Sequence, residues 1–327
     1  MTSHVAAVVA ISERRAVNSP FAPASARVHV MLLAAAASVA LLFAMRGFSL
    51  PGPDFPVVVI AAGLLLLVAW CGRARGFDRV ATAVETWTLL AVFCILATLL
   101  SYVAGASGAP LIDGELAAAD GWILPGVDWP TAMRAAHAHP WLIEGANACY
   151  ASIRWQPTLL LLALAATGRG GRCWTFLLAW MTTLLLVVTI TAFLPALGPY
   201  VHHGVRATAL PAMSDPAPWV TPGVVTALRD GSLRAIGFAD LEGIITFPSF
   251  HAGAAVLLGW AFWPIRLLRW PMATLNAAML LAAVPIGGHY FVDLPAGVAV
   301  AAAGIWLAIR WQAARSAPSI REGGWAD

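Results

Sequence analysis

CWTFLLAWMTTLLLVVTITAFLP, residues 173–195, contains no Asp, Glu, Lys, Arg or His. As a helix it would be about 35 Å long, enough to cross the ~30 Å hydrocarbon core of a bilayer. A backbone in lipid must satisfy its own hydrogen bonds, which makes the helix the expected form. Comparable apolar runs fall at 28–46, 55–71, 83–105, 142–167, 249–264, 271–287 and 289–310. Over the whole chain of 327 residues, 60% are hydrophobic and 11% charged, outside the range of soluble domains. The expected fold class is therefore all-α, a polytopic membrane helical bundle of about eight transmembrane helices.

The remaining segments divide the chain further. Residues 1–27 are expected to form a cytoplasmic segment without a removable signal peptide, the first spanning helix doing the targeting. The connection 106–141 carries Asp113, Glu115, Asp120 and Asp128 with Trp122 and Trp129, and is expected at the membrane interface. The stretch 196–248 is long, polar and rich in Pro and Gly, as functional loops are. All 19 basic residues are Arg, so chemistry that needs lysine is excluded. Thirteen fall on one side of the proposed spans and five on the other, with Arg154 inside a span. This bias predicts cytoplasmic termini and outward-facing loops at 106–141 and 196–248. Cys71, Cys94, Cys149 and Cys173 lack zinc or disulfide spacing and read as packing residues. No phosphate-cradling glycine loop and no basic run for nucleic acid is present.

Two motifs concentrate the polar chemistry. FPSFHAG, residues 247–253, opens a spanning run, with Pro248 suited to an early helix position and Ser249 in the first turn. GGHYFVDLPAG, residues 287–297, places His289 and Asp293 four apart, on one face if both are helical. The carboxylate would then take the Nδ1 proton and leave Nε2 free as nucleophile or base. Both helices are expected to begin on the outer side, where their N-termini favour an anion. A histidine–carboxylate pair, a second histidine and two helix ends suit phosphoryl transfer.

The two motifs resemble the second and third signatures of the type 2 phosphatidic acid phosphatase superfamily, usually Pro-Ser-Gly-His and Ser-Arg, five residues, His, three residues, Asp. With Phe250 in place of Gly, they are most similar to the branch containing inositol phosphorylceramide synthases and related bacterial membrane proteins. The resemblance implies a six-helix core over 83–311, two added helices in 28–72 and a cytoplasmic tail at 312–327. It implies His289 as nucleophile, Asp293 as its orienting carboxylate, His251 as acid for the leaving alcohol and Ser249 as a phosphate ligand, with Gly288 beside them. The superfamily's first signature, a Lys and an Arg-Pro, is absent. Its positional counterpart is FLPALGPYVHHG, residues 193–204, with Tyr200 where an Arg is often found, and the third signature's Arg is replaced by Ala283. Helix ends, His202, His203, Arg206 or Arg154 are the expected substitutes.

Each assignment has a plainer alternative. Ser249 also fits a helix N-cap. Glu144 and Arg154, ~15 Å apart by helix rise, also fit as residues reaching opposite interfaces. His137 and His139 read as surface residues. The implied enzyme hydrolyses a lipid phosphate; the alternatives are a transferase passing the phospho-group to an alcohol, and a non-catalytic lipid-binding protein or transporter. A lipid phosphate and bilayer lipids are the implied partners. No cofactor or metal is implied, because the acidic residues do not cluster near the histidines in sequence. The Arg-only basic set suggests a bacterial inner membrane.

Overall fold

The fold is described from a computed structural model, for residues 22–210 and 217–313. Most of the expected terminal segments, 1–27 and 312–327, lie outside the described residues. The helices are α1 (Ala22–Arg46), α2 (Asp54–Ala74), α3 (Asp78–Gly105), α4 (Asp113–Ile123), α5 (Trp129–His137), α6 (Pro140–Ala151), α7 (Gln156–Ala166), α8 (Gly170–Phe193), α9 (Pro199–His202), α10 (Ala217–Asp230), α11 (Phe250–Phe262), α12 (Arg269–Ala282) and α13 (Asp293–Ala313). Among the described residues the extended pairing is one isolated bridge, between Ser49 and Ala235. The all-α class read from composition is the class observed.

Helix α8 is the axis of the bundle, packed against α1, α3, α11 and α13. Its residues from Cys173 to Leu184 are buried on every side, as expected of a helix apolar all round. Two of the threonines turn their hydroxyls back on the helix, Thr175 donating to Gly171 O at 2.9 Å and Thr182 to Leu178 O at 2.7 Å, while the Thr183 hydroxyl is buried without a partner among the described residues. Phe93 of α3, Leu161 and Leu164 of α7, Leu258 and Phe262 of α11, and Ala301 of α13 close the core around it. Helix α1 lies against α3 and α8, while α2 packs on α3 and leaves most of its surface exposed. Far from the site, Arg172 donates to Trp260 O and Ala261 O in the last turn of α11, satisfying carbonyls that the helix cannot.

Among the described residues, five helices are long and apolar enough to cross a membrane: α1, α2, α3, α8 and α13. The other three expected spans are shorter or broken. The run at 142–167 is not one helix; α6 ends at Ala151, a 3₁₀ turn covers Ser152–Arg154 and α7 starts at Gln156. Pro157 suits the first turn of a new helix and cannot donate within a continuing one. The break is filled by polar side chains: Gln156 donates to Ser152 Oγ at 2.7 Å, and Asn276 of α12 donates to Gln156 Oε1 at 2.9 Å. The run at 271–287 is helical only to Ala282, then turns through Pro285, Gly287 and Gly288.

Candidate active site

The chain between α12 and α13 carries His289 outside any helix, so the expected shared helical face is corrected. Helix α13 begins at Asp293, and its carboxylate reaches back over the preceding turn. Asp293 Oδ2 accepts from His289 Nδ1 at 3.0 Å and from the Tyr290 amide at 2.9 Å. The pair is nearly sealed, with His289 3% and Asp293 0% exposed. With Nδ1 spent on the carboxylate, Nε2 is the nitrogen left for a reacting group.

The second motif is joined to the first through the backbone. Ser249 caps α11, its hydroxyl accepting from Ala252 N at 3.3 Å, and its own amide donates to Asp293 O at 3.2 Å. The entering Phe247–Pro248 bond is cis, and Thr191 of α8 donates to Phe247 O at 2.8 Å. Helices α11 and α13 meet main chain to main chain. A Cβ on Gly297 would run into the Ser249 carbonyl, and one on Gly253 would lie 3.1 Å from Gly297 O. Such small-residue contacts let membrane helices approach closely.

His251 and His289 both line a cavity of about 200 Å³. Its lining includes Gly198, Tyr200, Gly287, Gly288, Pro218 and Thr221, together with Ser101, Thr98, Ala97 and Cys94 of α3 and Gly243 and Ile245. Tyr150, from the end of α6, stacks on His251 with ring centroids 3.8 Å apart and planes 14° apart. The Tyr150 hydroxyl also lies where a Cβ on Gly287 would go, 2.7 Å away. Gly288 has φ 64°, and a side chain there would press on Pro218 and Tyr200 at 3.0 and 3.1 Å, so that turn requires glycine.

The loop holding His289 obtains its hydrogen bonds from the segment expected at the interface. Asp113 of α4 accepts from Leu197 N at 2.9 Å, Gly198 N at 2.8 Å and the Tyr290 hydroxyl at 3.0 Å. Asp120 accepts from Phe291 N at 2.9 Å and Val292 N at 2.8 Å. Trp129 Nε1 donates to His289 O at 3.3 Å, while its rings meet Tyr200 edge-on at 4.8 Å and stack on His203 at 5.6 Å. Burial, and next the charge of Asp113, push the Tyr290 phenol far up, so it remains a donor. Burial also raises the Asp120 carboxyl, against the pull of the Phe291 and Val292 amides. Asp113, Asp120 and Trp129 were expected only at the membrane interface, and Tyr290 was not singled out from sequence. A faint signal existed, because Asp113, Leu116 and Asp120 at i, i+3 and i+7 form one buried stripe of α4. The acidic residues therefore do gather near His289, contrary to the reading by spacing. The oxygens of Asp113 and Asp120 are occupied by N–H and O–H donors, Asp293 Oδ1 has no partner among the described residues, and among those residues no group of three His, Cys, Asp or Glu is arranged to hold a metal ion.

The other expected phosphate ligands separate into two groups. Tyr200 and Gly288 line the cavity; the Tyr200 hydroxyl donates to Pro285 O at 2.6 Å, and burial raises the phenol. Ser249 is fully buried as a cap and is not part of the cavity wall. Arg206 and His202 are exposed on the turns after α8 and do not line the cavity, although the His202 ring sits 6.2 Å from that of Tyr290. His203 is likewise off the cavity, with burial lowering its basicity. Arg154 is exposed on the 3₁₀ turn, outside the lining. Among the described residues lining the cavity, none carries a permanent positive charge. His137, expected at the surface, is buried at the end of α5, facing the Pro285 carbonyl.

The fold and this arrangement define a helical membrane protein with a paired-histidine site at one end of its bundle. A family model described as the PAP2 superfamily matches residues 114–307, and the chain belongs to that superfamily. Membership supports a phosphatase- or phosphotransferase-type function on lipid phosphates. Comparison with curated proteins and with solved structures found no match.

Proposed function

We propose that the protein is a membrane enzyme that hydrolyses the phosphate ester of an amphipathic lipid. His289 Nε2 attacks phosphorus, the P–O bond to the lipid breaks, and His251 gives its proton to the departing alkoxide. Water, deprotonated by His251, then attacks the phosphohistidine, releasing phosphate and restoring His289. Asp293 holds the ring direction and stabilises the positive charge that develops on it. The observation that carries this reading is the His289 Nδ1–Asp293 Oδ2 contact at 3.0 Å, at the wall of a cavity that His251 also lines. The Phe250 and His251 amides at the start of α11 would supply the anion with donors that no cationic side chain supplies.

A second reading is favoured by that missing positive charge. A phosphodiester carries one negative charge where a monoester carries nearly two, and asks less neutralisation of an apolar cavity. An alcohol, rather than water, would then discharge the phosphohistidine, as in the inositol phosphorylceramide synthase-like branch. The arginine asymmetry supports an outward-facing site with cytoplasmic termini, and the Arg-only basic set supports a bacterial inner membrane.

The test is turnover by purified protein of a lipid-phosphate panel with and without alcohol acceptors. Phosphate release that disappears in His289→Ala is the expected result. Product formed only with an acceptor replaces hydrolysis by transfer, and lipid binding without turnover in wild type discards both.

A further inference from the structure

Residues 289–292 belong to no helix or strand, yet they carry the side chain on which the proposed chemistry depends. A buried backbone without a regular hydrogen-bond pattern needs partners from elsewhere. Here carboxylates supply them residue by residue. Asp293 takes His289 Nδ1 and Tyr290 N; Asp113 takes the far end of Tyr290; Asp120 takes Phe291 N and Val292 N. Two of these three carboxylates stand on α4, more than 160 residues earlier in the chain and outside the bundle proper.

We infer that Asp113 and Asp120 are positioning residues: from one face of α4 they fix the 289–292 loop, and through it the direction of the His289 ring into the cavity. The inference rests on His289 being the reacting group. Asp113 does more than hold Tyr290, since the same carboxylate accepts from Leu197 N and Gly198 N, in the turn that leads to Tyr200. That turn touches the histidine loop directly: Gly198 has φ 104°, and a Cβ on it would lie 3.1 Å from Gly288 O. Two walls of the cavity, one with Gly198 and Tyr200 and the other with Gly288 and His289, thus share one anchor. Leu116, between the two aspartates on α4, packs with Tyr290 and Ala196, filling the space between the anchors. Carboxylates suit the task because each accepts several donors and offers none. An asparagine would turn an NH₂ toward an N–H already pointing at it. A reacting ring displaced by ~1 Å costs on the order of 100-fold in rate.

The full-length protein in detergent is compared with Asp113→Asn, Asp120→Asn, Tyr290→Phe, Glu115→Gln and His289→Ala. Phosphate release from dioctanoyl phosphatidate and binding of orthovanadate, a pentacoordinate phosphoryl mimic, are measured per folded molecule. Both aspartate variants should lose roughly 10- to 100-fold in kcat with KM within about twofold, and bind vanadate correspondingly less. Glu115, exposed on the same helix, should be replaceable without effect. Wild-type kcat and vanadate affinity in both aspartate variants, beside an impaired His289→Ala, overturn the inference alone. So does a loss of activity wholly accounted for by a lost folded fraction. If Asp113→Asn does not fold, Tyr290→Phe, which deletes only the hydroxyl that Asp113 accepts, decides: reduced kcat supports the inference and unchanged kcat refutes it. His289→Ala as active as wild type, or a wild type that neither releases phosphate nor binds vanadate, sinks the underlying reading instead.

Discussion

Replacing Asp293 by asparagine changes one group at the centre of the proposed site while keeping its shape. Two donors, His289 Nδ1–H and Tyr290 N–H, converge on Oδ2. The asparagine must therefore keep its oxygen there, because an NH₂ would face both donors. The imidazole tautomer survives, and what is lost is the charge that supports the ring when phosphorus is attacked. A hydrogen bond to a charged group contributes about 1.5–3 kcal/mol, and at 1.36 kcal/mol per decade this predicts a kcat reduced roughly 10- to 150-fold. The asparagine NH₂ would occupy the place of Oδ1, which is buried and has no partner among the described residues. An unpaired buried amide costs about 1–3 kcal/mol, so the variant should also unfold at a lower temperature. Steady-state phosphate release and thermal unfolding in detergent, followed by tryptophan fluorescence, measure the two effects separately. A kcat within twofold of wild type would refute the role of the carboxylate. A loss of 10⁴-fold or more in a folded protein would refute the geometry, because it would mean that the tautomer had reversed.

In single-turnover measurements His251→Ala should slow release of a lipid alkanol far more than release of p-nitrophenol from an aryl phosphate, since the better leaving group needs no proton; equal losses in that first step would remove the acid role. Gly297→Ala drives a methyl into the Ser249 carbonyl and against Ala252 Cβ at 3.2 Å. Overpacking of this kind costs about 1–3 kcal/mol, so a lower unfolding temperature together with reduced kcat is expected, and a neutral outcome would contradict the observed helix contact. Burial lowers the basicity of His137, with the Pro285 carbonyl acting the other way. The unfolded chain then binds the proton more readily than the folded one below pH 6.5, so this contribution to stability is complete above that pH and lost as pH falls. The unfolding midpoint should drop between pH 7.5 and 5.5, and drop less in His137→Gln; an equal drop in both would dismiss His137 as a cause.

Membrane class and the two histidine motifs were legible because both are local patterns. Hydropathy over a window marks spans such as 173–195, and a four-residue spacing suffices to pair His289 with Asp293. The break between α6 and α7 was hidden because Ser152 to Pro157 sit inside an apolar run; hydropathy registers what surrounds a residue and not whether its backbone continues. The position of His289 just before α13 was lost for a related reason, the run at 289–310 being apolar on both sides of the cap. For Asp113 and Asp120 the stripe on α4 marks a buried face but not what it meets, and with Trp129 their partners lie far along the chain, where no periodicity connects them. Ser249 admits two readings from sequence, phosphate ligand and helix N-cap, and the cap is the one its hydrogen bond shows.

The contact between Gly253 and Gly297 also bears on traffic. With two main chains pressed together, the seam between α11 and α13 is shut at the depth of the histidines, and a lipid diffusing laterally against that side has nowhere to insert. The cavity is instead lined by Ala97, Thr98 and Ser101 of α3 and by Gly243. Bulk added at Ala97 or Gly243 would take up space in the cavity itself, whereas bulk on the lipid-facing surface of α13 would leave that space untouched.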